Sequence, residues 1–483
     1  MNRTTVISSL LWKLLERGGT QGIQLIVQVI LARLLLPEDF GTLAIVMVFI
    51  SLARVFVQSG FNIALIQKKD ADEVDFSSVF YLSLAIAGIL YLFVYLSAPL
   101  VASFYGDLLL APVLRVLSFT LFFGAFISVQ NAYVAKNMMF KKLFISSLGS
   151  VVVSGTIGIL VALRGWGVWA LVVQQLVSQL VTSIIMWFTV HWRPRLLFSF
   201  SRVKSLFAFG SRLLASSLLN ALYMDLRTLI IGRVYSPTML GYYNQGQQLP
   251  NVVVSNVSVS IQSVMLPTLA SHQDNTKRVK DMMRRAIVSS SFLIFPMMIG
   301  MAVVADPLVA VVFTEKWLPA VPFLRIFCLS YSLIPIHTAN LQAINALGRS
   351  DIFLRLEVIK KILGLAILAA SLPFGVHAVA IGQIVSSIVS TFINARPNRK
   401  LLGYSYMEQW KDIMPSLVIA LGMGLVVYAL SFIGLQPWKQ LALQVVTGVV
   451  VYIGLAKLFN IECFTYLLTS ICELRQQRRN MMP

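Results

Sequence analysis

A row of polar side chains marks one face of the first hydrophobic segment of this chain. An α-helix brings residues three or four positions apart to the same side, and the row follows that spacing: Lys13, Arg17, Gln21, Gln24 and Gln28. A cationic group near the centre of a bilayer costs roughly 2.5–3.5 kcal/mol on insertion scales, so this face is expected to avoid lipid. We therefore expect it to contact other helices, water or a polar passenger.

Three further rows have the same character. The seventh hydrophobic segment repeats the spacing of the first with Arg212, Ser216, Asn220, Tyr223 and Arg227. The second segment carries Ser51, Arg54, Gln58 and Asn62, and the eighth carries Asn244, Gln248, Asn251, Ser255, Ser258 and Gln262. A single Ser, Asn or Gln in a membrane helix often only joins two helices by a hydrogen bond worth about 0.6 kcal/mol, and this alternative stays open for each residue. Four rows in equivalent helices favour the wall of one cavity.

Basic side chains outnumber acidic ones in these rows, since Asp225 is the one evident acid near their arginines. Guanidinium groups offer paired planar donors that suit phosphate or pyrophosphate, so the predicted passenger is an anion. The alternative is that Arg54 or Arg227 is neutralised by Asp225 or Glu16 in a structural ion pair. Asp225 is also the best candidate for a titratable group that couples transport to an ion gradient. The residues predicted to line the cavity are Lys13, Arg17, Gln21, Gln24, Arg54, Gln58, Arg212, Asn220, Arg227, Gln248 and Asn251.

The composition places these rows in a polytopic membrane protein. Of 483 residues 58% are hydrophobic and 12% charged, against about 25% charged in soluble proteins, and the mean hydropathy is +0.81. We predict an all-α fold of about fourteen transmembrane helices with no soluble domain, the first of them a retained helix and not a cleaved signal. The spans are expected near 9–35, 42–66, 77–102, 110–134, 143–163, 166–190, 206–235, 242–268, 286–313, 321–346, 354–372, 374–394, 412–433 and 439–459.

Charge alternates between the connections of these spans. One side collects Lys136, Lys141, Lys142, Arg193, Arg195, Arg202, Lys204, Lys277, Arg278, Lys280, Arg284, Arg285, Arg396, Arg399 and Lys400, whereas the other holds little beyond Arg164, Lys316 and Lys439. The positive-inside rule then predicts that both termini are cytoplasmic. The acidic cluster at 70–75 is an apparent exception, but acidic residues contribute little to orientation. The net charge of +20 follows from topology and attraction to anionic lipids, which disfavours a nucleic-acid partner.

The chain repeats itself at an offset of about 200–210 residues. Arg33, Pro37 and Gly41 recur as Arg233, Pro237 and Gly241; Pro99-Leu100-Val101-Ala102 recurs as Pro307-Leu308-Val309-Ala310; Pro112, Leu114 and Arg115 recur as Pro322, Leu324 and Arg325; and Gly167-Val168 with Ala170 recurs as Gly375-Val376 with Ala378. The recurring arginines at span ends are expected to serve the fold. We predict two pseudo-symmetric six-helix bundles at 1–200 and 201–400, with two extra helices and a basic tail at 401–483.

Residues for catalysis or cofactor binding are not evident. The chain has no GxxxxGK[ST] phosphate loop, and His191, His272, His337 and His377 form no HExxH or other ligand cluster. Cys328, Cys463 and Cys472 form no CxxC pair and are interpreted as packing residues. We therefore expect neither a cofactor nor a metal site.

Two motifs and the plan of twelve plus two spans resemble a known family. The motifs are Ala32-Arg33-Leu34-Leu35-Leu36-Pro37-Glu38-Asp39-Phe40-Gly41 and Gly241-Tyr242-Tyr243-Asn244. Together they are similar to the Wzx-type polysaccharide exporters of the multidrug/oligosaccharidyl-lipid/polysaccharide superfamily, over essentially the whole chain. The resemblance implies a MATE-like arrangement in which helices one, two, seven and eight line an alternating-access cavity. It also places Lys13, Arg17 and Arg54 where that branch tends to hold cavity cations near a lipid diphosphate.

This resemblance implies flipping of undecaprenyl-pyrophosphate-linked oligosaccharide across the bacterial inner membrane, for lipopolysaccharide, capsule or exopolysaccharide synthesis. The implied partners are the lipid-linked glycan, membrane lipids, and glycan polymerase and export machinery. Two alternatives remain. A cation-coupled multidrug exporter should carry more acid in its cavity than Asp225, and a membrane glycan polymerase or ligase should have a large outer loop.

Overall fold

The chain is all α-helical wherever the computed structural model describes it. The described backbone comprises residues 3–58, 61–68 and 70–465. Within it, the side chains left outside the description are those of residues 3–17, 61, 63, 205–206, 208–209, 212, 264 and 266–267. The predicted cavity residues Lys13, Arg17 and Arg212 are thus placed on their helices by the backbone alone, and Cys472 lies outside the described residues.

The helices follow the predicted spans closely. They are α1 (Arg3–Leu34), α2 (Pro37–Gln58), α3 (Phe61–Gln67), α4 (Glu73–Tyr105), α5 (Leu110–Leu117), α6 (Thr120–Lys136), α7 (Phe140–Leu163), α8 (Val168–Thr189), α9 (Phe200–Val234), α10 (Pro237–Ala270), α11 (Thr276–Val303), α12 (Ala305–Val312), α13 (Val321–Tyr331), α14 (Ile334–Ala346), α15 (Ser350–Ser371), α16 (Val376–Leu402), α17 (Tyr406–Ala429) and α18 (Pro437–Leu458). Short 3-10 helices occupy Glu315–Ala320, Leu372–Phe374 and Leu430–Ile433.

Twelve helical segments of the described residues are long and apolar enough to cross a membrane. The spans predicted at 9–35 and 354–372 correspond to α1 and α15, which are not among the twelve. The first twelve residues of α15 include five charged residues, Asp351, Arg355, Glu357, Lys360 and Lys361. The all-α, polytopic architecture is therefore confirmed, and the count of fourteen stays a prediction.

Three predicted spans are each made of two helices instead of one. The span at 110–134 breaks at residues 118–119, where the Ser118 and Thr120 hydroxyls donate to the carbonyls of Arg115 and Leu117, each at 2.6 Å. The span at 321–346 breaks before Pro335, which cannot donate a backbone hydrogen bond to α13. The span at 286–313 divides into α11 and α12, and the span at 42–66 contains α2 and α3 on either side of residues 59–60, which lie outside the description.

Contacts divide the chain into two compact units, Met1–Gly241 and Tyr242–Pro483. In the first unit, α1 buries Val27 and Leu31 in an apolar cluster with Ala170 of α8. In the second, the predicted extra helices α17 and α18 share one core with α11. The second copy of the sequence repeat begins at about residue 201 and therefore includes α9. The contacts instead place α9 in the first unit. The boundary of the halves at residue 200 stays a prediction.

Repeated residues occupy equivalent places in the helices. Gly167 and Gly375 precede α8 and α16 with positive φ values of 54° and 95°, a conformation that glycine adopts without strain. The Nε groups of Arg115 and Arg325 each donate to a carbonyl of a neighbouring long helix, on Tyr95 and Ala302 respectively, both at 3.2 Å. These contacts fit the expected role of the recurring arginines in the fold.

The acidic cluster before α4 is locally neutralised. Asp75 is fully buried, and its carboxylate accepts from Lys68 Nζ at 2.5 Å and from Arg202 Nη1 at 3.5 Å. Asp72 and Asp75 form a capping box at the start of α4, and the Asp75 backbone N–H holds the pKa of Asp72 below its usual value. The carboxylates therefore hold the 190–199 connection, which enters α9 near Arg202, against α4.

The starts of α2 and α10 cross at two glycines, and all of these residues belong to the first unit. A Cβ atom on Gly41 would lie 1.8 Å from the Pro237 carbonyl oxygen, and one on Gly241 would lie 2.0 Å from the Pro37 carbonyl oxygen. Both obstacles are backbone atoms, which cannot move aside as a flexible side chain can. Each glycine thus allows the backbone of the other helix to approach.

We expect Gly41→Ala to lose about 1–3 kcal/mol of unfolding free energy, because the added methyl group forces the two helix starts apart. Unfolding of the purified protein in detergent micelles measures the loss. Gly22→Ala is the matched control, since its Cβ would meet nothing within 4 Å and alanine favours a helix. Equal stability of the two variants would contradict the close crossing.

Candidate functional site

The best-defined polar contact among the predicted rows joins α2 and α9 in the first unit. Ser51 Oγ donates to Asp225 Oδ2 at 2.6 Å, and both side chains are half-buried. A hydroxyl bond to a carboxylate of this length is a strong, charge-assisted one when the acid is ionised. The two helices thus meet through Ser51, a member of the α2 row, and Asp225, the acid that the sequence placed near the arginines of the rows.

Arg54 lies one turn beyond Ser51 on α2. It is half-buried, and its Nε atom is buried without a hydrogen-bond partner among the described residues. No ion pair joins Arg54 or Arg227 to Asp225 in the described part of the chain, so the structural pair with Asp225 is not formed there. The other proposed partner, Glu16, has its side chain outside the description. A buried cation without a partner requires water or an anion to satisfy it.

The rest of this row serves helix packing. Gln58 Nε2 donates to the Gly124 carbonyl of α6 at 3.4 Å, and Asn62 Nδ2, on α3, donates to Ser128 Oγ at 2.6 Å. A Cβ on Gly124 would lie 3.1 Å from Gln58 Nε2, so the glycine makes room for the amide. The sequence left open that such residues only join two helices by a hydrogen bond. For Gln58 and Asn62 the structure supports this alternative.

On α9 the predicted residues point to an aromatic and polar face. The guanidinium carbon of Arg227 lies 6.0 Å from the centre of the Tyr223 ring, at the outer limit of a cation–π contact. Arg227 is half-buried, whereas Asn220 is exposed. The guanidinium group thus keeps donors available to a further group.

On α1 the described part of the row begins after residue 17. Gln21 is half-buried with its Oε1 buried and unpartnered among the described residues, and Gln24 is exposed. Lys13 and Arg17 lie on the same helix, and Arg212 lies on α9. The contacts of these three cations lie outside the described side chains.

The row on α10 is described within the second unit. Gln248 is half-buried and Asn251 is exposed. Next to them, Gln247 donates to the Tyr331 hydroxyl, while Gln245 Nε2 and Ser258 Oγ are buried without partners among the described residues. This helix therefore also carries polar groups that its own unit leaves unsatisfied.

Two polar residues of α6 were not predicted. Ser128 accepts the bond from Asn62, and Gln130 is 1% exposed with both of its amide atoms unpartnered among the described residues. Ser128 and Gln130 are two residues apart on α6, so they do not share one face of the helix and form no row with helical spacing. The only available signal was the cost of burying an amide in a membrane helix.

The polar rows supply groups that can bind a polar molecule. The described residues contain no group of three or more His, Cys, Asp or Glu able to hold a metal ion. His337 lies on α14, and its Nε2 atom forms a hydrogen bond with Thr391 Oγ1 at 2.8 Å. It belongs to none of the polar rows. Unpartnered guanidinium, amide and hydroxyl groups can hold a charged, hydroxyl-rich molecule.

Comparisons with known proteins agree with this description. A family model described as "Polysaccharide biosynthesis protein" matches residues 30–322, more than half of the chain. The teichuronic acid biosynthesis protein TuaB of Bacillus subtilis (strain 168) is 28% identical over 83% of this chain and 85% of its own length. The succinoglycan biosynthesis transport protein ExoT of Rhizobium meliloti (strain 1021) is 26% identical, with 86% and 83% covered.

A solved structure has the same fold. The lipid II flippase MurJ in an inward closed conformation aligns with a TM-score of 0.76 at 15% identity, and the alignment covers 93% of this chain and 98% of that one. At this identity the likeness establishes the architecture alone. It confirms the predicted all-α, polytopic architecture.

A double-mutant cycle of Ser51→Ala and Asp225→Ala tests the charge state of the α2–α9 contact. With Asp225 ionised we expect a coupling of about 1.5–3 kcal/mol, because a hydrogen bond to a charged group exceeds a neutral one. The Asn62→Ala and Ser128→Ala cycle is the control, with the same 2.6 Å distance between neutral groups and an expected coupling of about 0.6 kcal/mol. Equal couplings in detergent unfolding would indicate a protonated Asp225.

Proposed function

Because this chain belongs to the polysaccharide biosynthesis protein family, we propose that it flips an undecaprenyl-pyrophosphate-linked oligosaccharide across the bacterial inner membrane. Its relatives are a teichuronic acid biosynthesis protein and a succinoglycan biosynthesis transport protein, and a lipid II flippase has the same fold. We infer that this chain is likewise a transporter and not an enzyme. The substrate class follows from this family and from the charge of the polar rows.

The uncompensated charge of Arg54 is the single observation that supports an anionic substrate. Its guanidinium is half-buried in a membrane-spanning helix, and no carboxylate of the described residues neutralises it. Leaving such a cation without a counter-charge is costly in a membrane, so the free protein hydrates it and the substrate supplies the anion. A diphosphate offers several oxygens to a guanidinium fork, which matches this requirement.

In this proposal, transport proceeds by alternating access and needs no chemical step. Arg54 on α2 and Arg227 on α9, with Lys13 and Arg17 on α1 and Arg212 on α9, replace water around the diphosphate. The amides of Gln21, Gln24, Asn220, Gln248 and Asn251 contact glycan hydroxyl groups, whereas that of Gln58 serves helix packing. The lipid tail stays in the bilayer, because transfer of a long prenyl chain into a polar lumen has no compensating interaction.

Asp225 is our candidate for coupling to an ion gradient. It is a half-buried acid in a membrane-spanning helix, and its described partner is a hydroxyl and not a cation. Protonation removes the charge that strengthens the Ser51 bond, so it weakens the α2–α9 contact. A proton gradient can thereby change the relative stability of two arrangements of these helices.

The remaining parts of the proposal concern topology and partners. The excess of Lys and Arg on alternate connections supports cytoplasmic N- and C-termini. The glycan product would then leave at the outer face, where a polymerase and export machinery are the expected partners. A polymerase or ligase activity of the chain itself is disfavoured, since the longest connection between helices in the described residues is only 190–199.

Substitution of Arg54 tests the proposal. We expect Arg54→Gln to slow flipping at least about tenfold, since a lost charge-assisted contact costs about 1.5–3 kcal/mol. Arg54→Lys should retain part of the activity because it keeps the charge without the fork. The measurement is accessibility of the lipid-linked oligosaccharide at the outer leaflet, in a strain deleted for the gene and complemented with each variant.

Arg164→Gln is the matched control, because it removes the same charge from an exposed residue outside the polar rows. It should flip at the wild-type rate. Normal flipping by Arg54→Gln would contradict the cationic binding role of Arg54. Efflux of cationic dyes by the wild type, without glycan flipping, would instead identify a drug exporter.

A further inference from the structure

A second basic site lies outside the polar rows, at the carboxyl end of α16. A cavity of about 650 Å³ opens there between the end of α16 and the start of α17, within the second unit. Its lining includes the guanidinium groups of Arg396 and Arg399 and the rings of Phe392 and Tyr406. We propose that this cavity binds the phosphate headgroup of an anionic phospholipid from the surrounding leaflet.

The charge of the cavity is uncompensated. Arg396 and Arg399 are exposed, one turn apart on α16, and neither has a hydrogen-bond or ion-pair partner among the described residues. The acid at the start of α17, Glu408, is already engaged: one oxygen accepts from the Ser405 backbone N–H at 2.7 Å and the other from Lys280 at 3.3 Å. The two arginines therefore keep their donors for an external anion.

The surface leading to the cavity is suited to acyl chains. Exposed apolar residues on α16 follow helical spacing directly toward the arginines: Ile381, Val385, Ile388 and Phe392, each 41–51% exposed. Arg396 and Arg399 continue the same spacing by four and three residues. One face of a membrane-spanning helix thus offers an apolar track that ends in two cations, which matches the layout of a phospholipid.

Aromatic packing holds in place two of the side chains that line the cavity, Phe392 and Tyr406. The Phe392 and Tyr406 rings stack with their centres 3.8 Å apart, and Trp410 meets Tyr406 edge-on at 6.0 Å. Exposed Met407 extends the apolar rim. Aromatic side chains prefer the interface between the hydrocarbon and the headgroups, where this cavity would lie. The connection is also on the side with the larger number of lysines and arginines, which attracts anionic lipids.

Titration of the full-length protein in detergent tests the site, with bound lipid counted by native mass spectrometry. We expect phosphatidylglycerol to bind more tightly than phosphatidylcholine. Arg396→Gln/Arg399→Gln should bind phosphatidylglycerol roughly ten- to thirtyfold more weakly. Arg396→Lys/Arg399→Lys keeps both charges and should retain most of the affinity, which separates binding from a folding defect.

The control is Lys400→Gln/Lys457→Gln, which removes two exposed charges of the same unit that do not line the cavity. Its affinity for phosphatidylglycerol should match the wild type. Equal losses in both double variants would overturn the site in favour of a general surface charge effect. Competition by soluble sn-glycerol 3-phosphate at equal potency would overturn the lipid assignment, because the apolar track would then contribute nothing.

Discussion

The structure depends on the cost of leaving a polar group unsatisfied inside a membrane. Helices satisfy every backbone group except those at their ends, so the chain consists of helices with short connections. The same cost brings polar side chains of different helices together, as in the Ser51–Asp225 and Asn62–Ser128 bonds. Where the described residues offer no partner, as at the Arg54 Nε atom, the group requires water or a passenger.

Hydropathy and helical spacing predicted most of the fold because they report directly on the lipid environment. The span expected at 77–102 is α4, Glu73–Tyr105, and that at 143–163 is α7, Phe140–Leu163. The breaks inside spans could not be predicted, since Ser118 and Thr120 bond to local carbonyls without changing the hydropathy. Pro335 and Pro307, in the first turns of α14 and α12, are the prolines that follow two of the breaks.

The sequence showed the polar rows, but it did not show which of their residues form hydrogen bonds to another helix. Gln58 and Arg54 belong to one row on α2, yet Gln58 donates to α6 while Arg54 has a buried, unpartnered nitrogen. The difference depends on Gly124, which lies 66 residues from Gln58 and gives its amide room. Such tertiary neighbours have no fixed distance along the chain.

The crossing of Gly41 and Gly241 has a consequence for how the chain can evolve. After a duplication, two copies of a segment ordinarily accumulate substitutions independently. Here the backbone at each proline fills the space that a side chain on the other copy's glycine would need. A larger residue at either position is therefore opposed by the partner copy, so the two repeats share one steric constraint however far the rest of their sequences diverge.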